Sequence, residues 1–436
     1  MNKRNQRISA TRRWRTIKLG TACAALLLSV DVITTAADDK QWIGTWATAA
    51  QPFLPKSLQT YRNQSLRLIV HTSIGGTRVR IKISNTYGDG PLLIGGTHIA
   101  RRTTAAEIDP SSDRPLKFQG KTSTAIAAGS MVASDPVELD VPPLSDLAIS
   151  LFLPQRTDAK TSHSLAMQTS YVSTETGDST ATVSFPVEKE IHSWPFLTGV
   201  DVEALPGAAS IVAFGSSLTD GDGTTAGTNG RWPDVLARRL QKLGDKSKLG
   251  VLNEGIIGNR LLYDSPKGAG NPFGAALGQA GLTRFERDVL DQAAVKYVIV
   301  GLGINDILFP AFPFTSPSEK VSAEDIISGY RQLIERAHRN GVRVIGTTNP
   351  PFENAAFEGL VKAFYTPERE AVRQKVNDWI RSTDEFDGVV DLDVVLRDPS
   401  HPTQLLPAYD SGDHLHPNNA GCFAEGNAFP LALFER

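Results

Sequence analysis

Cysteine is scarce in this chain, whose 436 residues include only Cys23 and Cys422. A disulfide scaffold, a thiolate zinc site or an iron–sulfur cluster needs more thiols than that, so these classes are excluded. An excess of one charge is missing too, because 45 basic residues face 47 acidic ones. With 40% apolar and 21% charged residues, the composition is that of an ordinary globular protein, and the length predicts two or three domains.

The N-terminal segment has the order of a secretory signal peptide. Residues 1–18 hold seven basic residues and no acid, residues 19–30 are largely apolar but too few to span a bilayer, and small residues end at Ala37. This order predicts cleavage near Ala37, with residues 1–37 as the signal peptide and a secreted or periplasmic mature protein. An uncleaved amphipathic anchor is the alternative, and Arg12-Arg13 leaves twin-arginine export open.

Cleavage near Ala37 leaves an acidic mature chain. Removing seven basic residues and one acid from the totals of 45 and 47 leaves 38 basic and 46 acidic residues, a net charge of −8. Phosphate backbones repel such a chain, so no nucleic-acid partner is expected. Stable membrane insertion after cleavage is not expected either, and the sequence leaves the oligomeric state open.

The first half of the mature chain has the pattern of short strands. Residues 65–72 and 77–84 alternate apolar and polar side chains, which is the period of a half-buried strand. Turn residues such as Gly75-Gly76 separate the strands, and no long helical stripe intervenes. Further strands are predicted over residues 91–94, 130–133, 147–153 and 165–169. The pattern predicts an antiparallel, jelly-roll-like β-sandwich domain over residues 41–200.

Strands alternate with helices in the second half. Apolar strands are predicted over residues 210–214, 249–253, 297–302, 342–346 and 388–392. The helix before the fourth strand has an apolar stripe that includes Ile326, Tyr330 and Leu333, and Gly341 ends it. The alternation predicts a doubly wound, flavodoxin-like α/β domain with a parallel sheet over residues 206–436. Sites in such sheets lie beyond the carboxyl ends of the strands.

The first strand end carries adjacent serines between glycines. Ser216 and Ser217 lie between Gly215 and Gly221. A serine at a sharp strand-to-helix turn is exposed to a cleft and becomes a nucleophile when a base reaches it. The alternative is an ordinary helix cap or a phosphate-binding turn, although neither GxxxxGK[ST] nor GxGxxG is present.

Two further strand ends offer hydrogen-bond donors. Gly255 and Gly258, after the second strand, leave backbone N–H groups uncovered, as an oxyanion hole requires. Asn305, after the third strand, carries an amide that can donate to the same oxyanion. Taken singly, the first is a glycine-containing loop and the second an Asn/Asp turn or helix cap.

A fourth block lies near the C-terminus. Asp413 precedes His416 by three residues, so one short turn can present the carboxylate to the imidazole and stabilise its charged form. An isolated surface histidine is one alternative. A divalent metal site made by Asp410, Asp413, His414 and His416 is the other.

Taken in order, the four blocks resemble the SGNH hydrolases, also called the GDSL esterase/lipase family. The first block of that family reads G-D-S-[LI]-T-x-G, and its nucleophilic serine matches Ser217. Ser216 stands where the family has aspartate, a residue that is not the triad acid. The remaining matches are Gly258 in the second block, Asn305 in the third, and Asp413 with His416 in the last.

The resemblance covers about residues 208–430 and implies acyl transfer to water. It implies that His416 deprotonates Ser217 and that Asp413 orients His416. It also implies an oxyanion hole made by the Ser217 and Gly258 N–H groups with the Asn305 amide. No cofactor and no metal are implied.

The resulting hypothesis is a secreted serine esterase for small-molecule or polysaccharide esters, with carbohydrate deacetylation as one role that the β-sandwich would direct. Residues 263–281 and 309–314 are rich in Gly, Pro or Phe, and we interpret them as walls of an acyl pocket, with solvent-facing loops as the alternative. A lipase or arylesterase for longer acyl or aryl esters is a second hypothesis. A carbohydrate-binding protein with an inactive hydrolase fold is a third.

Overall fold

The computed structural model describes residues 41–175, 177–244 and 248–435. All of them belong to one unit that begins at Asp39. The predicted signal peptide, residues 1–37, lies outside the described residues. Within these ranges no helix is both long and apolar enough to cross a bilayer.

Residues 41–204, here called the β region, are built from short strands. The strands are β1 (Gln41–Ala47), β2 (Gln51–Pro52), β3 (Thr60–Tyr61), β4 (Gln64–His71), β5 (Gly76–Ser84), β6 (Leu92–Ile94), β7 (Gly96–Arg101), β8 (Arg114–Pro115), β9 (Thr124–Ile126), β10 (Met131–Ala133), β11 (Val137–Val141), β12 (Asp146–Leu153), β13 (Thr157–Asp158), β14 (Thr161–Ser162), β15 (Ser170–Ser173), β16 (Val187–Ile191) and β17 (Leu197–Ala204). They pair antiparallel into a six-stranded sheet, β16-β15-β4-β12-β7-β8, and a five-stranded sheet, β1-β17-β5-β10, in which β11 also pairs with β5.

The two large sheets share one hydrophobic core. Side chains two residues apart in a strand lie on the same face, so the alternation in β4 and β5 sends one set of apolar side chains inward from each sheet. The fully buried members from these two strands are Leu66, Leu68, Val70, Val79, Ile81 and Ile83. The predicted antiparallel β architecture is thereby confirmed.

The prediction of a strand over residues 165–169 is wrong. This segment forms no strand. Its backbone bonds to the second half of the chain instead: Ala166 O accepts from Arg231 Nη2, and Met167 O accepts from Gly227 N at 2.8 Å. Of the apolar side chains that suggested a strand, Ala166 is buried while Leu165 and Met167 are half-buried.

Residues 209–435, here called the α/β region, alternate strands and helices. The elements are β18 (Ala209–Gly215), α1 (Ser217–Asp220), α2 (Trp232–Gln241), β19 (Leu249–Gly255), α3 (Gly281–Phe285), β20 (Val295–Gly301), α4 (Ile304–Leu308), α5 (Ala323–Arg339), β21 (Arg343–Thr347), α6 (Pro367–Ser382), β22 (Gly388–Val390), α7 (Leu392–Leu396), β23 (Arg397–Asp398), β24 (His401–Leu405) and α8 (Asn419–Ala428). The order β19-β18-β20-β21-β22 of its parallel sheet is the flavodoxin-like order, which confirms the predicted doubly wound fold.

Helix α5 has the ends that its sequence predicts. Ser322 and Asp325 form a reciprocal capping box at its start, which satisfies two backbone donors. Gly341, at φ +71°, follows its last turn, a conformation that suits glycine. Its apolar stripe packs on the sheet, with Ile326 and Leu333 fully buried.

Backbone N–H groups and serine hydroxyls join the β region to the α/β region. Gly44 N donates to Ser210 Oγ at 3.1 Å, and Val251 N donates to Ser73 Oγ at 2.9 Å. A Cβ on Gly250 would lie 2.4 Å from the backbone oxygen of Gly44, so only glycine permits this approach. The division into domains at residues 200 and 206 stays a prediction.

Candidate active site

Ser217 lies at the turn between β18 and α1. A Cβ on Gly215 would lie 2.0 Å from Thr219 Oγ1, so the strand can turn this sharply only with glycine. Ser217 Oγ lies 2.9 Å from His416 Nε2. The neighbouring Ser216 is fully buried, and its Oγ has no hydrogen-bond partner among the described residues. The histidine therefore meets Ser217 and not Ser216.

Asp413 holds the other side of the His416 ring. Asp413 Oδ2 lies 2.5 Å from His416 Nδ1. Asp413 Oδ1 accepts backbone N–H groups from Leu415 at 2.9 Å and His416 at 2.8 Å, so the turn itself fixes the carboxylate. With Nδ1 donating to the carboxylate, Nε2 presents its lone pair to the Ser217 hydroxyl.

Electrostatics favour the charged forms of this pair. Burial raises the pKa of Asp413, but the hydrogen bond and charge of His416 outweigh burial and hold that pKa far below its ordinary value. Burial lowers the pKa of His416, but the hydrogen bond that it donates to Asp413 and the charges of Asp222 and Asp413 raise it overall. Asp222 Oδ2 lies 3.7 Å from His416 Nε2.

Gly258 and Asn305 lie beside the same serine. Ser217, Gly258 and Asn305 all line one cavity. Gly258 has φ +70°, a conformation that favours glycine. Asn305 lies in α4 and donates one N–H to Asn259 O at 3.0 Å. All the predicted site residues are thus brought together by the fold.

Arg284 is a support for this site that the sequence patterns did not indicate. Its guanidinium is fully buried and donates to Gly215 O at 2.9 Å, Glu254 O at 2.8 Å and Asn259 Oδ1 at 3.0 Å. It also pairs with Asp288 at 3.0 Å. One side chain therefore joins the ends of two strands to the loop that carries Gly258.

Asp306 fixes the same loop from the other side. Its carboxylate accepts backbone N–H groups from Leu261 at 2.7 Å and Leu262 at 2.9 Å. Burial raises the pKa of Asp306 to about 6, although these hydrogen bonds act to lower it. Asp306 directly follows Asn305, so the pattern Asn-Asp after a buried strand was the available signal.

The cavity beside Ser217 is apolar and has a volume of about 260 Å³. Both loops predicted to wall it do so, through residues such as Phe273 and Phe312. The β region supplies Leu54, Ser164 and Leu165. The aromatic lining is Phe273, Phe309, Phe312, Phe357 and Phe364.

The residues weighed as a metal site form two separate pairs. His414 Nδ1 lies 2.6 Å from Asp410 Oδ2, and His416 pairs with Asp413. Across the described ranges, no group of three or more His, Cys, Asp or Glu side chains is arranged to hold a metal ion.

A flavodoxin-like sheet with a serine, a histidine and an acid gathered at its carboxyl edge is an arrangement that suits an acyl hydrolase. Residues 211–422 match the family model described as GDSL-like Lipase/Acylhydrolase. The chain therefore carries a GDSL-like lipase/acylhydrolase domain, as the resemblance predicted, and is a carboxylic ester hydrolase.

Solved structures similar to this chain include three esterases or lipases. An aryl esterase from M. smegmatis has 19% identity and a TM-score of 0.38, over 51% of this chain and 96% of its own. A carbohydrate acetylesterase family member from Sinorhizobium meliloti has 20% identity and a TM-score of 0.36, over 50% and 94%. A GDSL-like lipase from Bacteroides thetaiotaomicron has 18% identity and a TM-score of 0.35, over 52% and 88%. A search of curated proteins gave no match.

Proposed function

We propose that this protein is an exported serine esterase with Ser217 as nucleophile, His416 as general base and Asp413 as the residue that orients His416. The observation that carries the proposal is the single imidazole bonded to Ser217 on one nitrogen and to Asp413 on the other. The order of basic, apolar and small residues at the N-terminus supports export.

In acylation, Ser217 Oγ attacks the ester carbonyl carbon while His416 Nε2 takes the hydroxyl proton. The carbonyl oxygen becomes an oxyanion, and we assign its stabilisation to the Ser217 and Gly258 N–H groups and to the second N–H of the Asn305 amide. Collapse breaks the bond to the alcohol oxygen, which receives the proton from His416. The acyl group stays on Ser217.

In deacylation, a water molecule replaces the alcohol. His416 takes one proton from the water, whose oxygen attacks the acyl carbon, and the same donors hold the second oxyanion. Collapse returns the proton to Ser217 Oγ and releases the carboxylic acid. The anionic Asp413 stabilises the imidazolium that forms in each half of the reaction.

The cavity favours a larger acyl group than acetyl. Its lining is apolar and includes five phenylalanine side chains. Binding of an ester becomes more favourable with each methylene or ring carbon of the acyl group that such a wall removes from water. Among the hypotheses for the substrate, esters of medium-chain or aryl acids therefore have the better support.

A groove on the β region supports a carbohydrate ester as a second candidate. It has a volume of about 410 Å³, and its lining combines polar residues such as Gln59, Lys189 and His192 with apolar ones such as Phe53. Leu54 and Ser164 line both this groove and the cavity. A polyhydroxylated alcohol would find hydrogen-bond partners there while the acyl group occupied the cavity.

A p-nitrophenyl ester series from acetyl to palmitoyl tests the proposal. We expect the highest kcat/KM between butanoyl and octanoyl, because these acyl groups fill the apolar cavity without exceeding it. Ser217→Ala should lower kcat by about 10³-fold or more, while Ser216→Ala, the matched control, keeps most of it.

Equal losses in the two folded serine variants would overturn the assignment of the nucleophile. A maximum at acetyl would overturn the assignment of the cavity. Export is checked by mass spectrometry of the protein recovered outside the cytoplasm, where a mature N-terminus near residue 38 is expected.

A further inference from the structure

His163 of the β region lies against the first catalytic block of the α/β region. His163 Nε2 is 2.9 Å from Asp220 Oδ1, and both side chains are 1% exposed. His163 Nδ1 is 3.0 Å from Ala49 O. Asp220 is the last residue of α1, three residues after Ser217. A buried hydrogen-bonded pair thus joins the β region to the helix that begins with the serine.

The hydrogen bonds of this histidine are fixed by its partners. A carbonyl oxygen can only accept, so Nδ1 carries a proton and donates it to Ala49 O. Nε2 and Asp220 Oδ1 share a proton across 2.9 Å. The other carboxylate oxygen, Asp220 Oδ2, accepts from Ile257 N at 3.1 Å.

Asp220 therefore connects three parts of the molecule. It belongs to the helix that begins with Ser217, it receives His163 from the β region, and it holds the backbone N–H of Ile257. Ile257 directly precedes Gly258, to which the proposed function assigns an oxyanion donor. The fit is close, because a Cβ on Gly255 would lie 2.4 Å from Asp220 N.

We infer that His163 is a positioning residue for catalysis, which through Asp220 sets the Ile257–Gly258 backbone relative to Ser217. The inference rests on the proposed function. The β region is then a working part of the active site and not only a neighbour of it.

The chain around His163 supports this role. Ser164 and Leu165 line the cavity, and the backbone carbonyl of Ala166 accepts a hydrogen bond from Arg231 of the α/β region. A buried polar pair is also an inefficient means of stabilising a fold, because the cost of desolvating both groups cancels most of their attraction. Its value here is the geometry that it imposes.

Three variants of the full chain test the inference with p-nitrophenyl butanoate. His163→Ala removes the link, and we expect kcat to fall about 10²-fold with KM within about threefold, since a small displacement of an oxyanion donor weakens transition-state binding more than substrate binding. His163→Gln retains an N–H at the position that faces Asp220, so its kcat should be about tenfold higher than that of His163→Ala. His71→Ala is the matched control, because His71 pairs with Asp146 inside the β region.

Inhibition by a boronic acid, a tetrahedral adduct former, separates positioning from mere stability. We expect the inhibition constant to rise in parallel with the loss of kcat in His163→Ala and to stay unchanged in His71→Ala. If His163→Ala does not fold, His163→Gln and Asp220→Asn provide the same comparison.

Wild-type kcat and inhibition in the folded His163 variants would overturn the inference. An equal fall in His71→Ala would do so too, because it would reduce the effect to general destabilisation of the β region. Failure of the proposed function has a different signature, which is activity that survives in Ser217→Ala.

Discussion

Arg67 in the β region and Arg284 in the α/β region are both fully buried, and both donate to backbone carbonyls. Arg67 donates to Ala106 O at 2.7 Å and Thr182 O at 2.8 Å, so it joins loops of its own region. Arg284 donates to the carbonyls that end β18 and β19. A buried arginine that donates to carbonyls thus stabilises the loops of the β region in one case and the candidate active site in the other.

The electrostatic settings of the two arginines differ as well. Burial lowers the pKa of Arg67 to about 10, and the next contribution is the more distant charge of Asp113. Burial also lowers the pKa of Arg284, but the directly bonded Asp288 opposes the shift. The sequence motifs indicated the candidate catalytic residues. The buried arginines that support the surrounding backbone could be identified only from the tertiary structure.

The largest expected effect is that of His416→Ala, which tests whether the α/β region supplies the catalytic base. We expect kcat to fall by about 10³-fold or more, because the variant has no base for Ser217. The matched control is His414→Ala, which removes a half-exposed histidine that pairs with Asp410 and should change kcat by less than about threefold. Full activity in EDTA is expected for both the control and the wild type. Loss in EDTA that a divalent metal restores would instead favour the metal site.

Arg284→Met and Arg67→Met sharpen the comparison of the two arginines. Each leaves buried carbonyls without donors, so each should lower the free energy of unfolding by about 3 kcal/mol. Only Arg284→Met should also lower kcat/KM of the folded enzyme, by about tenfold or more, because its carbonyl partners carry the catalytic loops. Denaturant unfolding and initial rates measure the two effects. Comparable rate losses in both variants would contradict the division of labour.

Phe312→Ala and Leu165→Ala compare the walls that the two regions give to the cavity. Phe312 lies 5.1 Å from Phe309 and 5.4 Å from Phe364 between ring centroids, so its loss opens the centre of the aromatic wall. We expect kcat/KM for an octanoyl ester to fall about tenfold in Phe312→Ala and about threefold in Leu165→Ala. Acetyl ester rates should change little. Equal losses on both esters would argue against an acyl pocket.

The smallest expected effect concerns pH. His416 must be neutral to accept the proton of Ser217, so kcat/KM falls as pH drops through the pKa of His416. Burial lowers that pKa, but Asp413 and Asp222 raise it overall, so the acidic limb should lie above the ordinary value of 6.5. Asp222→Asn removes one of the raising charges and should move the limb to lower pH.

Glu335→Gln is the control for this pH profile, because Glu335 is an exposed carboxylate that pairs with Arg339 on α5. A limb that moves equally in both variants would assign the shift to net charge. An acidic limb that stays in place in Asp222→Asn would show that Asp222 does not raise the pKa of His416.

Much of the fold follows from local pattern. The alternation in residues 65–72 and the apolar strands of the α/β region predicted their sheets, because side-chain period depends only on neighbouring residues. The failure at residues 165–169 has the opposite cause: Ala166 and Met167 bond to residues 227 and 231, which no local pattern includes.

By itself, the sequence determined the order of the four blocks and the parallel sheet that presents them. Both follow because strand ends of a doubly wound sheet meet at one edge, so short motifs after successive strands are brought together. The choice of Ser217 over Ser216 as nucleophile came from the resemblance to the first family block and stays a prediction. The tertiary structure alone decided that His163 meets Asp220, that Arg284 joins two strand ends and that the cavity is walled from both regions. Such contacts join residues far apart in the chain, so they depend on which side chains the folded structure brings together and not on any local sequence pattern.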